Sequence, residues 1–86
     1  MQIAFSELTN EWKALSEIIT VESDVKYYIQ NRGPDKLLAL ESSSEPNSLA
    51  GNIVLSGDAL VYSKGTQDLY LRSFSSTSQI NISKEG

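Results

Sequence analysis

From residue 25 onward, short apolar runs alternate with turn residues, and a new run begins about every 10 to 15 positions. Val25-Lys26-Tyr27-Tyr28-Ile29-Gln30 is rich in β-branched and aromatic side chains. On a strand, Val25, Tyr27 and Ile29 share one face, and Lys26, Tyr28 and Gln30 share the other. Asn31-Arg32-Gly33-Pro34-Asp35 then breaks the run with residues that favour turns. Lys36 to Glu41 is the next expected strand. Its Leu37-Leu38-Ala39-Leu40 core is apolar on both faces, which implies cover on both sides. After the polar loop Ser42 to Ser48, further strands are expected at Gly51–Leu55, Ala59–Ser63, Leu69–Ser73 and Gln79–Ser83.

The first twenty residues carry two conflicting patterns. Phe5, Leu8, Trp12, Leu15 and Ile19 recur at helical spacing, with Ser6 as a candidate cap, which would make residues 6–15 a short helix. The β context of the rest favours two strands instead, Glu11–Leu15 and Glu17–Val21. Both readings stay open at this level. The expected architecture is mostly β: one small antiparallel β-sandwich or barrel of about six to eight short strands, with or without that N-terminal helix. It spans 1–86 as one domain, with 1–20 as the ambiguous segment and 21–83 as the β core. Trp12, Tyr27, Ile29, Leu38, Leu40, Leu69 and Leu71 are the candidate core.

A chain of 86 residues buries only about 60 to 65% of its unfolded surface, so its stability is expected to be marginal. Such domains often rely on disulfides, a metal or a partner subunit. With no cysteine there is no disulfide, and with no histidine a zinc site would need carboxylates alone. Self-association is the remaining aid, so a homo-oligomer is expected. The net charge of −4 and the scattered Lys and Arg leave no basic footprint for nucleic acid. No run approaches the roughly 18 apolar residues of a membrane span. Met1 to Glu7 lacks the features of a signal peptide, so folding in a cytosol is expected.

No catalytic, metal or cofactor site is expected from the residues present. The usual Ser–His or Cys–His pairings are ruled out by composition. Asp24, Asp35, Glu45, Asp58 and Asp68 sit at turns, where Asp is favoured for backbone reasons alone. The isolated glycines form no phosphate loop. The expectation is therefore a protein that is not an enzyme. The aromatics are the more informative group, because Tyr and Trp are enriched at contact surfaces. Adjacent Tyr27 and Tyr28 must face opposite ways on a strand. Tyr28, with Lys26 and Gln30, is the candidate subunit or ligand contact.

Several of these segments together resemble small structural proteins of tailed bacteriophages. The resemblance rests on Trp12, on Val25 to Gly33, on Leu37-Leu38-Ala39-Leu40-Glu41 followed by Pro46, on Gly51 to Leu55, on Tyr62, on Leu69-Tyr70-Leu71 and on Gln79 to Ser83. It spans residues 12–83. It departs at Leu69-Tyr70, where such chains often carry Trp, so no ligand site is carried over there. The resemblance implies a head-decoration, head-fibre or small tail and adhesion module. It implies a β-sandwich, often a trimer, made in the host cytoplasm and ending in the virion against a capsid or tail protein. A carbohydrate- or receptor-binding β module that contacts a host surface glycan is an alternative expectation. A small phage inhibitor of a host protein is another.

Overall fold

The computed structural model describes residues 2–85. Met1 and Gly86, which complete the expected 1–86 domain, lie outside the described residues. The chain runs β1 (Gln2–Leu8), β2 (Lys13–Ala14), one turn of 3-10 helix (Leu15–Glu17), β3 (Lys26–Asn31) and β4 (Leu37–Ser42). β5 (Asn52–Val54), β6 (Ala59–Ser63), β7 (Asp68–Ser73) and β8 (Ser78–Lys84) follow. They form two four-stranded sheets, β1-β8-β3-β6 (sheet I) and β2-β7-β4-β5 (sheet II), and every pairing is antiparallel. The protein is thus a small antiparallel β-sandwich, as the alternating pattern implies.

Each strand from β3 onward lies within two residues of its expected position. Period-two alternation buries one face of each strand in the space between the sheets. Tyr27 and Ile29 of β3, Leu37 and Ala39 of β4, Leu69 and Leu71 of β7, and Ile80 and Ile82 of β8 meet there with Leu8, Leu15, Val54 and Tyr62. Five of the seven candidate core residues are buried: Tyr27, Ile29, Leu38, Leu69 and Leu71.

Trp12 and Leu40 are corrections to that set, since both are only half-buried. Leu37 and Ala39 face the inter-sheet core, so Leu38 and Leu40 point to the outer side of sheet II. Leu38 is nevertheless buried, so the expected two-sided cover of β4 holds at that position. Leu40, across from Tyr70 on β7, stays partly open.

The N-terminal segment is the larger correction. Residues 6–15 are not a helix. Ser6 to Leu8 belong to β1, which pairs with β8 at the far end of the chain. Of the helical stripe, only Leu8 and Leu15 enter the buried core, while Phe5 is exposed and Ile19 packs at the margin. The strand alternative is realised only at Lys13–Ala14. Glu17–Val21 forms no strand; Ile18, Ile19 and Val21 pack against the core on the way to β3.

Four chain segments cross between the sheets at one end of the sandwich: 9–12, 32–36, 55–58 and 74–77. Two of them, 32–36 and 55–58, meet at Asn31, the last inward-facing residue of β3, which is fully buried. Its Nδ2 donates to the carbonyls of Asp35 (2.7 Å) and Val54 (3.0 Å). Its Oδ1 accepts from the Gly33 N–H (3.1 Å) and lies 2.8 Å from the Ser78 hydroxyl. Its main chain pairs with Gly57 and Asp58. Asp35 extends the knot, accepting from the N–H groups of Ser75 (2.8 Å) and Ser76 (3.0 Å). Gly33 is required by space: a Cβ there would overlap Ser78 Oγ and the Gln79 N–H. Among the described residues, no buried side-chain polar atom lacks a partner.

Removing the Asn31 carboxamide takes the side-chain donor from the Val54 carbonyl and the acceptor from the Gly33 N–H, each costing about 1–3 kcal/mol when left buried, while the Ser78 hydroxyl and the Asp35 carbonyl keep each other at 3.0 Å. Asn31→Ala is therefore expected to lower stability by about 2 kcal/mol or more in urea unfolding. Gly33→Ala should lower it by about 1–3 kcal/mol through overpacking. A loss under about 1 kcal/mol for Asn31→Ala would show that water replaces the carboxamide without penalty.

Candidate functional site

The alternation that fills the core also sets the outer face of sheet I. Phe5 of β1, Asn81 of β8, Gln30 of β3 and Ala59 of β6 stand side by side in one row. Ser83, Tyr28 and Val61 form the next, and Lys26 stands beside Ser63. Glu7 and Gln79 occupy the opposite end, with the Gln79 amide 3.4 Å from the Glu7 carboxylate. The three expected contact residues, Lys26, Tyr28 and Gln30, are therefore on one face, as the spacing requires. Lys26 is exposed and Tyr28 is 38% exposed. Gln30 is half-buried, and its amide donates to the Gly57 carbonyl at 3.2 Å, so it braces the turn before β6.

Three further apolar residues on this face were not legible as contacts in the sequence. Phe5 is 59% exposed, Val61 58% and Ile3 36%. The signal for Phe5 was the alternation Ile3, Phe5, Glu7, which the helical spacing of Phe5 with Leu8 and Trp12 masked. On this face the large apolar groups flank β8, whose outward residues Gln79, Asn81 and Ser83 form a polar stripe.

The outer face of sheet II is different. Trp12 and Arg72 stack there, with the guanidinium 5.8 Å from the ring centre. They and loop residues Pro46 to Leu49 line a cleft of about 300 Å³. Arg72 is tethered by its Nε and a terminal nitrogen to the carbonyls of Ser73 and Phe74, both at 3.0 Å. A second cleft, also about 300 Å³, opens between the sheets where β6 faces β4 and β5. Glu41, Asn52 and Tyr62 supply its polar groups and Leu60 and Leu69 its apolar wall. The Tyr62 hydroxyl donates to the Gln67 carbonyl at 3.0 Å. Burial, with Glu41 and Asp68 nearby, raises its pKa above 10.0, so it stays protonated at neutral pH.

Among the described residues, the one strongly shifted carboxylate serves the fold. The Ser75 and Ser76 N–H groups hold the Asp35 carboxyl at about 2, below the usual 3.8, with smaller help from the Ser73 hydroxyl and the Lys36 N–H. Among the described residues, no three His, Cys, Asp or Glu side chains converge on a possible metal position. No helix among them is long and apolar enough to cross a membrane.

The fold and this face define a class: a small two-sheet antiparallel β-sandwich with one mixed apolar and polar sheet face open to solvent. Comparison with protein-family models, with curated proteins and with solved structures gives no match.

Two outcomes follow from these environments. Because the folded pKa of Asp35 lies below its unfolded value, its contribution to stability is present above about pH 4 and lost as pH falls through about 2. Asp35→Asn should flatten that part of the pH–stability curve in thermal melts; an unchanged acid limb would refute the assignment. Half-buried Trp12 should cost about 1–2 kcal/mol on truncation to Ala. Ile29→Ala, at a fully buried position, should cost about 2–5 kcal/mol. Equal losses would place Trp12 in the core after all.

Proposed function

We propose that the protein is a non-enzymatic structural component of a phage virion, a decoration or fibre module. In this reading it acts as a homo-oligomer and holds a capsid or tail partner through the outer face of sheet I. The single observation that carries the contact reading is the exposure of Ile3, Phe5, Tyr28 and Val61 together on that face. They form two groups, Ile3 with Phe5 and Tyr28 with Val61, on either side of the polar β8 stripe; apolar side chains grouped on one face favour an interaction surface more than single ones do. The phage setting comes from the sequence resemblance, and the small β-sandwich is compatible with it.

The mechanism is burial. Covering apolar area contributes roughly 25 cal/mol per Å². Association also costs translational and rotational freedom, so one small face gives modest affinity. A lattice of identical sites compensates, because neighbouring copies raise the effective concentration of each contact. The polar groups of Gln79, Asn81 and Lys26 would set orientation more than strength.

Light scattering on the full chain tests the reading. The expected mass at micromolar concentration is a multiple of 9.5 kDa. A monomer throughout would overturn the homo-oligomeric assembly. On a glycan array, no sugar should be retained. Reproducible binding lost in Tyr28→Ala would replace this reading with a carbohydrate-binding one.

A further inference from the structure

The hydrogen-bond phase of sheet I determines which backbone groups reach its outer edge. The Arg32 N–H donates to the Gln79 carbonyl, and the Glu85 N–H to the Lys26 carbonyl. In this register, odd-numbered residues of β8 direct their main-chain groups to β3, so even-numbered ones direct theirs to β1. Ser78, Ile80 and Ile82 stand opposite Leu8, Ser6 and Ala4. The N–H and C=O groups of Phe5 and Glu7 therefore point away from the sheet, along the free edge of β1. No backbone partner is found for them among the described residues. The Glu7 carbonyl accepts from its neighbour's Ser6 hydroxyl at 3.5 Å.

Edges of this kind are usually blunted by short length, by Lys or Pro, or by bulges. The other three are blunted or small. β2 has two residues, one of them Lys13, and β5 has three. β6 has five, with the small side chains of Ala59 and Ser63 on either side of Val61, and Lys64 follows it. β1 has seven residues and contains no Lys, Arg or Pro. Its one irregularity lies between Gln2 and Ala4, which leaves Ala4 to Leu8 in regular register. The two side chains that accompany its free backbone groups are Phe5 and Glu7, and Phe5 is the most exposed large apolar side chain of the sheet.

We infer that two copies of the chain pair through β1, antiparallel about a two-fold axis normal to sheet I, with Phe5 opposite Phe5. This rests on the self-assembling reading above and names the edge that performs it. An antiparallel pair of identical strands is self-complementary, as a two-fold interface must be. With Phe5 on the axis, the two residues exchange N–H to C=O bonds, and their rings pack on the outer face. Each Glu7 then lies beside Ile3 of the other copy, so the two carboxylates are kept apart. The product is one continuous sheet of eight strands. Both copies present Lys26, Tyr28 and Val61 on the same side, which doubles the face offered to a capsid or tail partner. The closed symmetry makes a dimer, where the resemblance alone implies a trimer.

Concentration-dependent amide exchange by NMR, with mass by light scattering, tests the pairing. Above the dissociation constant, the mass should settle at twice the monomer. The Phe5 and Glu7 amides should then exchange at least about tenfold more slowly than in dilute protein, as amides closed in a ladder do. Phe5→Lys, at an exposed position, should leave the circular dichroism of the monomer unchanged. It should raise the dissociation constant by about tenfold or more, because like charges would meet on the axis. An oligomer whose Phe5 and Glu7 amides exchange as in the monomer would overturn this inference and leave self-assembly standing. A ladder of ever larger species would also overturn it, in favour of open-ended β1-to-β6 pairing. A monomer at every concentration would overturn both.

Discussion

The Asn31 carboxamide is the contact on which the sandwich depends. Two sheets stacked through apolar side chains resist separation, but apolar contact alone is non-directional and sets no unique angle or register. Asn31 supplies direction. It stands at the end of β3 in sheet I, reaches the Val54 carbonyl of β5 in sheet II, and takes the hydroxyl of Ser78 at the start of β8. Both its side-chain protons and its oxygen are used, and a slip of one sheet over the other would break its buried bond to Val54. Asp35 repeats the device one turn later, collecting the N–H groups of the β7–β8 crossing. These bonds join the crossings 32–36, 55–58 and 74–77 into a single knot.

The opposite end is held more lightly, by the hydroxyls of the two core tyrosines. Tyr27 accepts from the Glu22 N–H at 2.8 Å and so ties down the segment that leads into β3. Tyr62 donates to the Gln67 carbonyl and holds the turn between β6 and β7. Each ring fills the core while its polar tip fastens a chain crossing, a division of labour that tyrosine allows and phenylalanine does not. A domain without disulfides thus gains cross-links between distant segments from polar atoms at its two ends.

Period-two alternation made the strands from β3 to β8 legible, because each has one face in the core and its pattern is local. What was not legible depends on partners far along the chain. Asn31 reads as part of a turn, Asn31 to Asp35, and its neighbours alone give no reason to bury it. Its partners Val54 and Ser78 lie 23 and 47 residues away. β1 was hidden for the same reason. Its partner is β8, with Glu7 and Gln79 separated by 72 residues, while the helical spacing from Phe5 to Ile19 is a local signal. A short amphipathic helix at a chain end gains little by itself, whereas a strand in an existing sheet gains a full ladder, so the distant pairing prevails. The contact face was half legible. Lys26, Tyr28 and Gln30 follow from one strand, but Phe5 and Val61 join them only through the order β1-β8-β3-β6.

That strand order also explains why the two sheets are not equivalent. Sheet II ends in β2 and β5, strands of two and three residues, and loop residues Pro46 to Leu49 with Trp12 and Arg72 line its outer cleft. Sheet I ends in strands of seven and five residues, and its outer side chains face solvent. If the fold relied on cover over both sheets, as a domain this small often must, an open sheet would be a weakness. Here the knot at Asn31 and the tyrosine ties at the other end lie between the sheets or at their ends. The outer residues of sheet I take no part in those ties, apart from the brace from Gln30 to Gly57. Those ties therefore do not depend on their identity. In the function proposed above, contact with something outside the domain would account for large apolar side chains placed where those ties do not need them.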